Sequence, residues 1–244
     1  MHENLTLHEI YNKIITMSDK NHLLVGCSFT DPLWQDAIPW SVYYSKTYQK
    51  SYIVAKAGMG WTGICTEAYM YAKQLDISHC VIMLPTVWRC DIEVNHEGTM
   101  CNAIVDLLEH DQVIDNHKRK WIVSGGLNYQ HETKELINAF DWQYKYKNFL
   151  PIFRSHALAL KTLQLYLKSI DVTYTVTAIR DPMEQLMGME YIENELEDLL
   201  HDVEYNTWLK FDGKFINEWL IHDNHPTTKE HKQLGDYIWQ NHLT

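Results

Sequence analysis

The chain lacks the short motifs that mark most cofactor-dependent enzymes. No G-x-G-x-x-G follows an apolar run and no G-x-x-x-x-G-K-[ST] occurs, so neither kind of phosphate cradle is present in the sequence. His131-Glu132 has no second histidine to complete H-E-x-x-H, and no Cys/His group has zinc spacing. No metal and no cofactor is therefore expected. The five cysteines, Cys27, Cys65, Cys80, Cys90 and Cys101, include no C-x-x-C pair and are odd in number, which suits free thiols in a reducing compartment. No apolar run approaches the roughly 20 residues that span a bilayer. Met1-His2-Glu3-Asn4-Leu5 is not a basic patch leading into an apolar stretch, so the expectation is a cytoplasmic chain that neither enters nor rests on a membrane. Positive charge is also scarce. Lys and Arg number 21 against 32 Asp and Glu, and the net charge of −11 argues against a nucleic-acid partner. The one short basic run, His117-Lys118-Arg119-Lys120, reads as a solvated helix end before a strand. No Pro/Gly-rich linker, repeat or low-complexity tract divides the 244 residues, which sets the expectation of one domain over 1–244.

What is present is an alternation of short apolar runs and amphipathic segments. Strands are expected at 23–26, 52–55, 80–84, 121–123 and 174–178. Helices are expected at 7–18, 34–50 (from Pro39 onward), 62–75, 100–110, 150–170, 183–203 and 228–242, with a loop at 91–99 and a threonine cap opening the helix at 62. Five such alternations call for a parallel sheet with helices on both faces and functional loops at the C-terminal strand ends. Ser28, Gly58, Thr86 and Ser124 each follow such an end. Cys65 and Cys80, in apolar surroundings, read as small core residues. Residues 127–150, dense in aromatics interleaved with charge, read as an insertion or lid.

The residues with chemical potential sit at opposite ends of the chain. Leu23-Leu24-Val25-Gly26 delivers Ser28 just past the first strand, where backbone N–H groups of a tight turn can face a developing oxyanion. Asp223-Asn224-His225-Pro226 precedes the last helix. Ser28, His225 and Asp223 are the residue types of nucleophile, base and orienter, and Pro226 favours extended backbone at His225. His222 is an alternative base and Cys27 an alternative nucleophile; strand alternation turns only one of Cys27 and Ser28 toward a site, and Ser28 is preferred. His231 falls inside the closing helix and reads as structural. Gly58 or Gly60 can supply a second oxyanion N–H. After the third strand, Thr86, Trp88 and Arg89 are candidates for contacts to the oxyanion or the substrate, with an Arg89–Asp91 surface ion pair as the competing reading for Arg89. The nine tryptophans and fifteen tyrosines suit sugar stacking as well as core packing.

These blocks resemble the SGNH/GDSL hydrolases. Gly26-Cys27-Ser28-Phe29-Thr30 is similar to the family's Gly-Asp-Ser block, Gly58 or Gly60 to its second-block glycine, and Asp223-Asn224-His225-Pro226 to its closing Asp-x-x-His-Pro block. The resemblance extends over residues 23–238. It implies a three-layer α/β/α sandwich, flavodoxin-like, with about five parallel strands. It further implies a serine esterase working through an acyl-serine intermediate, with an O-acetylated saccharide or small ester as substrate, or the related acyl transfer. In the resemblance Ser28, Gly58 or Gly60, and Thr86 line the oxyanion hole, and Arg89 and Trp88 face the substrate. The departures are Cys27 for the usual aspartate, a closing block one residue shorter, and Pro85-Thr86-Val87-Trp88 where the third block carries an oxyanion-binding asparagine. That missing asparagine leaves open a non-catalytic binding or structural module on the same fold.

Overall fold

A computed structural model of the protein describes residues 21–32, 37–89, 91–94, 99–100, 102–105, 112–113, 120–123, 149–186, 193–210 and 225–241. The expected first helix, Ser124 and the 127–148 part of the expected lid lie outside these residues.

The centre is a four-stranded parallel sheet: β1 (Asn21–Gly26), β2 (Ser51–Ala55), β3 (Ile77–Leu84) and β9 (Thr173–Ala178), in the order β2-β1-β3-β9. Leu23, Leu24, Val25 and Val81 to Leu84 are all buried. Near-continuous apolar runs of this kind are what strands covered on both faces require. The chain runs from β1 sideways to β2, then back across β1 to β3. Right-handed crossovers in opposite directions put their helices on opposite faces. Helix α1 (Trp40–Thr47), between β1 and β2, accordingly packs with the closing helix α6 (Thr228–Asn241). Helix α2 (Trp61–Ala72), between β2 and β3, packs with α3 (Phe149–Ser169), which leads into β9. The result is the three-layer, flavodoxin-like α/β/α sandwich. Along α3, Phe153, His156, Ala157, Leu160, Leu163, Gln164 and Leu167 form the buried stripe at helical spacing, while Leu158 is 69% exposed. Within the acidic segment expected to be helical after β9, the described residues form α4 (Pro182–Leu186) and α5 (Glu193–Asp202), and 187–192 lie outside them.

Among the described residues the parallel sheet has four strands, not five. Trp121–Val123, expected as the fourth, belongs to β8 (Lys120–Val123), the middle of a separate antiparallel sheet between β4 (Asp91–Val94) and β5 (Thr99–Met100). The main sheet is extended instead by two antiparallel strands, β6 (Asn102–Val105) and β7 (Gln112–Val113), beyond β2. Of the loop expected at 91–99 and the helix expected at 100–110, residues 91–94, 99–100 and 102–105 are thus extended chain, and 95–98 lie outside the described residues. The period-2 pattern Asp91-Ile92-Glu93-Val94 and the β-branched pair Ile104-Val105 agree with that. Trp121 joins the small sheet to the sandwich: its indole N–H donates to the Glu67 carboxylate on α2 at 2.7 Å, and both residues are buried. Cys27, Cys65 and Cys80 are buried free thiols, and burial pushes the Cys65 and Cys80 thiols well above their ordinary range. Among the described residues no helix is long and apolar enough to cross a membrane.

Candidate active site

The loops leaving β1 and β3 part at the topological switch point, where open α/β sheets bind ligands. Register holds these ends level, with Gly26 opposite Ala55 on one side and Val25 opposite Ile82 on the other.

The turn carrying Ser28 is tightly determined. The amides of Thr30 and Asp31 both donate to the Cys27 carbonyl, at 2.9 and 3.0 Å, curling the chain immediately after β1. Gly26 allows this curl: a Cβ there would lie 2.1 Å from Thr30 Oγ1. Thr30 is fixed in turn by the Trp40 indole N–H, which donates to its hydroxyl at 3.2 Å, and by the Ser41 hydroxyl, which donates to its carbonyl at 2.7 Å. Cys27 is fully buried in the core cluster.

Across the sheet edge, His225 Nε2 lies 2.9 Å from Ser28 Oγ. With the ring proton on Nδ1, the serine hydroxyl donates to Nε2, the tautomer a general base requires. Ser28 is 3% exposed and His225 partly so, which shelters the pair from bulk water. The position of His225 follows from local sequence. Buried Pro226 is followed by a capping box in which Glu230 accepts from the Thr227 amide at 2.6 Å and hydroxyl at 2.7 Å. The box fixes the first turn of α6 and therefore the residue two places before it. Phe29 stands edge-on to both His225 and His231, with ring centroids 5.2 and 6.2 Å away. His231 is buried in α6, and burial together with the nearby His225 brings its pKa down to about 4, as suits a structural neutral imidazole. Asp223 and the alternative base His222 lie outside the described residues.

The two glycines after β2 differ. Gly58 has φ 84° and sits at the third position of a turn closed by the Met59 amide donating to the Lys56 carbonyl at 3.1 Å, a place that favours glycine. The Gly60 N–H is already committed, donating to both carboxylate oxygens of Asp91 at 2.8 Å. Asp91 also accepts from Gly63 at 3.0 Å, so it caps α2 from thirty-one residues downstream of Gly60. Gly60 is the N-cap residue of α2 and offers no side chain, and Thr62 is not the cap the sequence suggested. The Thr62 hydroxyl instead meets His156 Nδ1 at 3.1 Å. Asp91 is half-buried; desolvation lifts its pKa to about 6 against the pull of the two amides and of the nearby Arg89 charge.

After β3, the turn Thr86–Arg89 is closed by the Arg89 amide donating to the Thr86 carbonyl at 3.3 Å. It is held from both sides. The Trp61 indole N–H donates to the Pro85 carbonyl at 2.9 Å, and the Val87 amide donates to Gln185 at 3.1 Å. Trp88 is 37% exposed and Arg89 half-buried. Arg89 Nη1 is buried and, among the described residues, makes no hydrogen bond. Thr86, Trp88 and Arg89 thus share the strand-end edge with Ser28. Among the described residues no group of three or more His, Cys, Asp or Glu side chains could hold a metal ion.

Sequence reasoning passed over Asp31. Its carboxylate is 2% exposed and accepts from the Ala57 amide at 3.0 Å, joining the serine turn to the glycine turn. The available signal was an acidic residue in the turn three places after the candidate nucleophile. No protein-family model matches the chain, and no curated protein is similar enough to match it.

Proposed function

We propose that this protein is a serine esterase of the SGNH/GDSL type that removes O-acetyl groups from a saccharide. The observation that carries the reading is the 2.9 Å separation of Ser28 Oγ and His225 Nε2, made between residues 197 apart in sequence at the switch-point edge of the sheet. Distant residues meeting at nucleophile–base distance at a ligand-binding edge are what base-activated acyl transfer requires.

In the proposed reaction Ser28 Oγ attacks the ester carbonyl carbon while His225 Nε2 takes the serine proton. The tetrahedral oxyanion is held by the N–H groups of Ser28 and Gly58, since Gly60 is engaged with Asp91. Collapse breaks the bond to the alcohol oxygen, which leaves with the proton from His225. Water then attacks the acyl-serine and gives a proton to His225. The carboxylic acid departs as the Ser28 oxygen takes that proton back. Asp223 is assigned to orient His225. Thr86 and Arg89 are the candidates to replace the missing asparagine donor, and half-exposed Trp88 is suited to stack on a sugar ring.

The absent asparagine favours one other reading, a non-catalytic glycan-binding module. The test is acetate release from a panel of O-acetylated oligosaccharides and from p-nitrophenyl acetate. Release by the wild type that Ser28→Ala abolishes is expected. Glycan binding by a folded wild type that releases no acetate from any of them would support the module.

A further inference from the structure

Two turns must keep a fixed spacing for the proposed chemistry. The first carries Ser28. The second carries Gly58, whose N–H is assigned to the oxyanion. Each leaves a different strand, and parallel pairing ends behind them, with the Lys56 amide donating to the Gly26 carbonyl at 3.3 Å as the last link. Beyond that point backbone pairing no longer sets their separation. Among the described residues, the Asp31 side chain bridges the gap. Asp31 is anchored on the serine side by its own amide, which donates to the Cys27 carbonyl at 3.0 Å, and its carboxylate Oδ2 accepts from the Ala57 amide at 3.0 Å. Ala57 adjoins Gly58, so displacing Ala57 displaces the Gly58 N–H.

We infer that Asp31 is a positioning residue that sets the distance between the Ser28 nucleophile and the Gly58 oxyanion donor. The inference rests on the esterase reading. A buried carboxylate is costly to keep where an apolar side chain would fit, and it is tolerated when its oxygens are satisfied by fixed donors. The bond to a main-chain amide makes the role geometric, so the shape of the acceptor matters more than its charge.

Two substitutions separate geometry from charge. Asp31→Asn keeps a carbonyl oxygen at the same reach and loses the charge. Asp31→Glu keeps the charge and lengthens the arm by one methylene, pushing the Ala57–Gly58 turn away. Kinetics on p-nitrophenyl acetate, run beside wild type and Ser28→Ala, give the readout. The expectation is that Asp31→Glu lowers kcat about 100-fold, as misplacement by about 1 Å does, while KM changes little. Asp31→Asn is expected to lose less than about tenfold in kcat, because the acceptor survives. The opposite order, Glu active and Asn inactive, would assign Asp31 an electrostatic role and overturn the inference. Wild-type kcat in both variants would overturn it as well. If Asp31→Glu does not fold, Asp31→Asn alone decides, since a loss as deep as that of Ser28→Ala contradicts a geometric role. A wild type that turns over no ester overturns the esterase reading and takes this inference with it, whereas an active wild type isolates the inference.

Discussion

Acid should unfold this protein through two buried histidines, and the size of the effect can be worked out residue by residue. His156 sits on α3 against Trp61 and Thr62, and burial lowers its pKa from 6.5 to about 4, against the opposing pull of the Val87 and Arg89 carbonyls. His231 is lowered to about 4 as well. A histidine whose pKa is depressed on folding contributes stability above the unfolded value, near 6.5, and loses it as pH falls through about 4. For each histidine the fall from 6.5 to about 4 corresponds to about 3 kcal/mol. Asp91 works in the opposite sense. Its pKa is raised from 3.8 to about 6, so its contribution is full below 3.8 and is lost as pH rises through 6. That offsets about 3 kcal/mol of the histidine loss over nearly the same window. Urea melts of wild type and His156→Gln at pH 7, 5.5 and 4 isolate one group, because the remaining titrations cancel in the difference. Between pH 7 and 4 the variant should lose about 3 kcal/mol less than wild type. Parallel pH profiles for the two proteins would refute the assignment of His156 as a neutral buried imidazole.

Gly26→Ala should cost about 2–4 kcal/mol by urea denaturation and lower esterase turnover together, because its Cβ would strike Thr30 and loosen that residue from Trp40 and Ser41. Thr227→Ala removes the hydroxyl half of the capping box and should cost about 1 kcal/mol in the same assay. Because that box fixes the approach to His225, Thr227→Ala should also reduce kcat, and an unchanged kcat would show that Pro226 alone holds the histidine.

The central strands were readable because a strand buried on both faces is an unbroken apolar run, as in Leu23–Gly26 and Val81–Leu84. The serine and histidine were readable because each is flagged locally, one by a glycine closing a strand and the other by a following proline and helix cap. Other features depend on distant partners. A strand's pattern does not name the strand it pairs with, so Trp121–Val123 carried no sign that it leaves the main sheet for β4 and β5. The helix at Trp61 was expected to cap itself through Thr62, but the caps come from Asp91, on another strand. The same long-range bond distinguishes two glycines that look equivalent in sequence, since it engages the N–H of Gly60. Asp31 gave no periodic or motif signal, since its importance lies in an amide twenty-six residues away.

The most direct test of the central claim is to treat the protein with a fluorophosphonate and map the adduct by peptide mass spectrometry. An activated serine predicts stoichiometric labelling at Ser28, lost in Ser28→Ala and strongly slowed in His225→Ala. A folded wild type that takes no label, or a label on any residue other than Ser28, would contradict it.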